Sequence, residues 1–259
     1  MKKESGNKED QLLEEVFESL DSLKDNWYSV IYPVISDLLF LILYGAILGY
    51  FGDAIINNLY SLGASMMQTQ ESQIGIILKS IFWSLAEMAV ALYITYVVLQ
   101  GISWRFSKAI AAQKDPIMTY LKRFSLVNIP WFLLFAAYST ISFLVGFYNR
   151  RTIYASIILY IFLAALIYFA VISYALAGRS ASRALSGAFQ IGTAKFLYVA
   201  PRILIAAAAL YFVGLAISYS GNLSFKLMIV LGVLVLLPFV TLIRIYLHII
   251  LKPFSKKFI

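Results

Sequence analysis

Apolar residues in this chain gather into long runs separated by short polar segments. They show neither the two-residue alternation of a half-buried strand nor the single stripe of a surface helix. Six runs reach the roughly 20 residues that a helix needs to cross a hydrocarbon core. They cover about residues 27–51, 74–99, 127–147, 153–177, 197–219 and 226–251. In lipid an unpaired backbone amide costs several kcal/mol, so segments this long must close their hydrogen bonds internally, as helices. A membrane barrel would show alternating segments of about ten residues instead, and Ile203-Leu204-Ile205-Ala206-Ala207-Ala208-Ala209-Leu210 does not alternate. The expected fold is all-α: a polytopic membrane protein with an amphipathic segment over 1–26 and a six-helix transmembrane domain over 27–259.

Composition points the same way. Of 259 residues 61% are hydrophobic and 13% charged, and the mean hydropathy is +0.83. A soluble domain has about 45–50% and about 25%, so a soluble enzyme or binding module is excluded. The absence of cysteine removes disulfides, thiolate catalysis and thiolate metal sites. A lone histidine, His248, removes a polyhistidine centre within one chain. There is no Gly-x-x-x-x-Gly-Lys, His-Glu-x-x-His or Gly-x-Ser-x-Gly. The expectation is therefore a non-enzymatic protein with no cofactor and no metal.

The net charge of +8 reads as loop charge rather than a nucleic-acid surface. Residues 1–26 carry four lysines and eight carboxylates, unlike the basic start and apolar core of a secretory signal. With a cytoplasmic amino terminus, 17 of the 21 lysines and arginines fall inside, leaving Lys79, Arg150, Arg151 and Lys226 outside. That bias predicts both termini in the cytoplasm, with the chain in a cell membrane.

Loop lengths group the spans into three hairpins, each preceded by a cytoplasmic amphipathic segment. Leu13, Val16, Phe17 and Leu20 recur at helical spacing in the first. In the second, Asp115 is a candidate N-cap and Pro116 a first helical residue, followed by Ile117, Leu121 and Phe124. The third has Leu185, Ala188, Phe189 and Phe196. Each shows an apolar anchor, an aromatic seven residues on and then a proline: Leu20–Trp27–Pro33, Ile117–Phe124–Pro130, Phe189–Phe196–Pro201. The stretches Leu20-Asp21-Ser22-Leu23-Lys24-Asp25-Asn26-Trp27 and Ala184-Leu185-Ser186-Gly187-Ala188-Phe189 carry this pattern of a short helix entering a long span. In this the chain resembles the six-helix membrane region beside some bacterial glycerophosphodiester phosphodiesterases, and stand-alone prokaryotic membrane proteins of similar build. The catalytic barrel of those enzymes has no room in 259 residues. The resemblance implies a membrane module rather than a phosphodiesterase.

Ionisable residues within spans cost ~2.5–3.5 kcal/mol at the bilayer centre, so each needs a reason. Glu87 lies near the middle of span two. It reads either as a proton- or cation-coupled site or as a neutral carboxyl locking helices, with Tyr138, Ser139, Ser142 or Ser173 as partner. Asp37 lies about 15 Å along span one. It is expected to meet Arg244 or Arg202, either as an ion pair or as part of a cytoplasmic anion or headgroup site. Arg244 and His248 are four apart and share a helix face. Gly45 with Gly49, and Gly214 with Ser218, are small pairs that let helices approach closely. Pro238 is expected to kink span six. The function reading is a protein that carries or senses a small solute or lipid; the other is an assembly subunit docking a partner through its cytoplasmic helices. The partners expected are the lipid bilayer, anionic headgroups or a protein, and no nucleic acid.

Overall fold

The computed structural model describes residues 8–67, 71–111, 115–148 and 153–255. Lys2, Lys3, Lys114, Arg150, Arg151, Lys256 and Lys257, used above to orient the chain, lie outside them. The described chain is helical, with no strand. Its helices are α1 (Lys8–Asp25), α2 (Trp27–Met67), α3 (Glu71–Thr95), α4 (Gly101–Ala111), α5 (Ile117–Tyr148), α6 (Ile153–Ala175), α7 (Ala181–Ala194), α8 (Phe196–Ser220), α9 (Phe225–Leu231) and α10 (Leu237–Ser255). One π-turn, Tyr96–Gln100, joins α3 to α4, and another, Gly232–Leu236, joins α9 to α10.

Six of these stretches are long and apolar enough to cross a membrane: Trp27–Met66, Gln73–Ala111, Ile117–Gly146, Tyr154–Ala175, Phe196–Ser220 and Phe225–Phe254. Six spans were expected, and the first two run far beyond their expected ends. α2 alone has 41 residues, about 60 Å at 1.5 Å each, or twice a ~30 Å hydrocarbon core. The stretch after Gly52, beyond the expected end of span one, is helical to Met67.

Of the three entry segments, two are separate helices. α1 ends before Trp27, and α7 ends at Lys195, where α8 begins. The second runs without a break into its span, so Pro130 lies deep within α5 rather than in a first turn. Pro238 falls in the first turn of α10, directly after the π-turn Gly232–Leu236. Its missing N–H therefore coincides with a ladder the π-turn has already interrupted.

The chain divides into two units: residues 36–100, and the remainder. In the larger unit α10 packs on α1, α4, α6 and α8, while α6 packs on α5 and α7. Val30, Ile110, Ile245 and Ile249 form one core cluster. An aromatic chain forms another: Trp104 lies 5.9 Å from Tyr174, which lies 5.4 Å from Phe124, itself 6.1 Å from Tyr120.

Residues 36–100 form two antiparallel helices held by polar contacts. Ser36 Oγ donates to the Leu99 carbonyl at 2.7 Å, Gln100 Nε2 to Asp37 Oδ1 at 3.1 Å, and Asn58 Nδ2 to Ser80 Oγ at 3.1 Å. Among the described residues of this unit, Val97 is the one buried apolar side chain. The expected close approach at Gly45 and Gly49 does not occur. A β-carbon at either would meet nothing within 4 Å, and the same holds at Gly214 in α8. Small residues here leave an open helix surface.

Candidate functional site

From residue 88 to the carboxyl terminus the chain carries 16 lysines and arginines and one carboxylate, Asp115. The structure gathers positive charge around that carboxylate. Asp115 Oδ2 accepts from Lys108 Nζ at 2.6 Å, with both side chains about one-fifth exposed. Its backbone carbonyl accepts from Arg105 Nε at 3.0 Å and Nη2 at 2.8 Å. Asp115 is therefore not the N-cap it was expected to be. The first helical bond of α5 runs from the Tyr120 amide to the Pro116 carbonyl, and the Asp115 carboxylate turns back to α4.

The turn after α6 closes over this pair. Arg123 Nη1 donates to the Gly178 carbonyl at 2.5 Å. A β-carbon on Gly178 would lie 1.9 Å from Lys108 Nζ and 2.9 Å from Asp115 Oδ2, so any side chain there would have to displace the tips of that pair. Arg179 follows, its guanidinium pushed below the ordinary arginine range by burial and then by the like charge of Arg183. Lys108 and Arg105 thus hold Asp115, and Arg123 is bonded to the turn at Gly178 beside them. Among the described residues Arg105 and Arg123 bond only carbonyl oxygens, which orient a guanidinium without neutralising its charge.

Beneath this basic end lies a buried polar interior. The Arg244 guanidinium sits 5.7 Å from the Trp104 ring centroid, and the His248 ring lies 5.7 Å from the same indole. The i, i+4 spacing does place both on one face. The His248 ring faces the backbone of Trp104 and Ala175, with Lys108 and Arg244 as its charged neighbours. His248 Nε2 and Tyr120 Oη are buried and have no hydrogen-bond partner among the described residues. Such groups mark places where a water or a ligand polar atom belongs.

Arg202 and Glu87 are placed differently from the expectation. Arg202 is taken by Glu15: Arg202 Nε donates to Glu15 Oε2 at 2.6 Å and Nη2 to Oε1 at 3.2 Å, and the Tyr198 hydroxyl donates to Oε1. This pair and the weaker Lys252–Glu18 contact at 3.7 Å fasten the acidic α1 to the basic α8 and α10. Glu15 and Ser19 of α1 are buried beside half-buried Leu12, Val16 and Leu23, the last packed on the Val30–Ile245 cluster, while Leu13, Phe17 and Leu20 remain exposed.

Asp37 is buried beside Gln100. Glu87 is exposed on α3, on one face with Trp83, Ala86, Val90, Ala91 and Ile94. Glu87 precedes Gln100 by 13 residues, about 20 Å along a helix. A single polar interior around Glu87 and Asp37 is therefore absent. The hydroxyls proposed for Glu87 have other roles. Ser173 accepts from Trp131 Nε1 and donates to the Ala170 carbonyl, Ser139 donates to the Phe135 carbonyl, and Tyr138 and Ser142 line a groove between α5 and α6.

Among the described residues no three histidine, aspartate or glutamate side chains converge as a metal site would require. Comparison of the chain with protein families, curated proteins and solved structures returned no match.

Proposed function

We propose that this is a non-enzymatic, multi-pass membrane protein that carries or senses a lipid or small solute through an anionic, phosphate-type group held at its basic end. One observation carries the reading: Arg105 and Arg123 are fixed by carbonyl oxygens beside a single Lys108–Asp115 pair, so held guanidinium charge remains for an external anion. Arginine suits this task because its planar fork presents paired donors to phosphate oxygens. The excess of lysine and arginine on one set of connections supports a cytoplasmic location for this end, both termini included. Three hairpins, a prokaryotic cell membrane and kinship with phosphodiesterase-associated membrane regions belong to the same proposal.

The test is native mass spectrometry of the full chain in detergent, titrated with phosphatidylglycerol or phosphatidylcholine. The wild type is expected to retain the anionic lipid preferentially, and Arg105→Gln with Arg123→Gln to lose that preference while Arg105→Lys keeps most of it. Equal retention of both lipids by all variants would overturn the reading.

A second reading, an assembly subunit, draws on one observation: the docked α1 leaves Leu13, Phe17 and Leu20 exposed in a stripe. Polar replacement of that stripe should abolish copurification of a partner if a protein covers it. It should leave composition unchanged if lipid does.

A further inference from the structure

At the end of α5 and α6 remote from Arg123, the two helices part to leave a groove of about 170 Å³ lined by Tyr138, Ser142, Val145, Gly146, Ser156, Leu159 and Tyr160. Four of these side chains are hydroxyls in a surface that is otherwise apolar. Their neighbours show what a hydroxyl on a membrane helix ordinarily does. Ser139 donates to the Phe135 carbonyl at 2.9 Å and Thr140 to the Ala136 carbonyl at 3.0 Å, one turn back on their own helix. Among the described residues Ser142, Ser156, Tyr138 and Tyr160 make no such bond, and a hydroxyl left unpaired in an apolar medium is costly.

The groove also has depth and space. Gly146 and Ser156 flank the connection between α5 and α6, which carries Arg150 and Arg151, so one end of the groove is at the boundary of the apolar zone. Tyr138 is eight residues earlier, about 12 Å inward. Its ring is held 6.3 Å from that of Phe162. A β-carbon on Gly146 would meet nothing within 4 Å, so the gap is real space rather than a packed seam.

We infer that this groove binds the glycerol–ester backbone of a diacyl lipid. Hydroxyls both donate and accept, matching glycerol hydroxyl and ester oxygens. The volume suits a glycerol-sized group and not a whole lipid, whose acyl chains would run along the exposed helices. The seven lining residues bring no charge, and hydroxyls rather than cations make the contact; Arg150 and Arg151 of the α5–α6 connection lie outside the described residues. This site is separate from the basic end and does not rest on it.

Native mass spectrometry of the full chain in detergent, titrated with dioleoylglycerol and with dioleoylphosphatidylglycerol, tests it. Gly146→Leu places an isobutyl group beside the gap at a position where a β-carbon meets no atom within 4 Å, and should weaken binding of dioleoylglycerol by about tenfold or more. The combined Tyr138→Phe, Ser142→Ala and Ser156→Ala variant should do so by about tenfold, the worth of one or two hydrogen bonds. Both should keep wild-type thermal stability, since none of these hydroxyls bonds within the described chain. Binding of dioleoylglycerol unchanged in both variants, or absent in the wild type, would overturn the inference. Loss of only the phosphatidylglycerol adduct would likewise refute it, because that outcome assigns the groove to a headgroup.

Discussion

Residues 36–100 and the remainder of the chain solve the same problem in opposite ways. In 36–100 the buried side chains are polar, Ser36, Asp37, Ser65 and Gln100 beside Val97, and the apolar ones face outward. In the remainder an aromatic and aliphatic core that includes Trp104, Phe124, Ile172 and Ile245 is overlain by charge. The difference follows from the solvent. Lipid gives apolar side chains no reason to leave it, so helices meeting within it are joined by hydrogen bonds and small-residue contacts. Where a region reaches the interface, water returns, and burial of aromatic area stabilises packing again. The larger unit accordingly holds the ion pairs and the candidate anion site.

The largest effect should come from the ion pair that fastens α1. Arg202→Met leaves Glu15 buried and unpaired, and is expected to cost about 3–5 kcal/mol in equilibrium unfolding in mixed micelles. Joint replacement with Glu15→Leu should recover most of it; a loss below about 1 kcal/mol would show that α1 is not anchored there.

Packing is next. Gly192→Ala drives a β-carbon to 2.6 Å from a Phe169 ring carbon and 3.1 Å from one of Tyr168. Overpacking of this kind costs about 1–3 kcal/mol. In residues 36–100, Ser36→Ala removes the bond to the Leu99 carbonyl and should cost only about 1 kcal/mol, within the range of polar contacts between membrane helices. If it matched Arg202→Met, the contrast between the regions would fail. Smallest of all, Gly49→Ala meets open space and should change stability by under about 1 kcal/mol, with helix propensity favouring alanine.

The spans were legible because run length is a sequence property, and the pairing of Arg244 with His248 on one face was legible because helical spacing fixes it. Their ends were not. Ser103, Arg105, Ser107 and Lys108 resemble a loop, yet the helix continues because each polar group finds a partner close by. Ser107 donates to the Ser103 carbonyl at 2.9 Å, Ser103 to the Pro33 carbonyl at 3.2 Å, and Lys108 to Asp115. Glu15 was missed because Arg202 is 187 residues away, and no local pattern announces so distant a partner. The one signal that pointed to the basic end was there to be counted: Asp115 stands alone among 16 cations.

The central claim is that lipid is the solvent and that the basic end faces one side of it. The chain contains no cysteine, so single-cysteine variants report position without background. An impermeant maleimide applied to intact cells should label Ser224→Cys, between α8 and α9, and should label Ser180→Cys, beside Arg179, only after permeabilisation. Labelling of both positions from outside, or of neither without permeabilisation, would contradict the account.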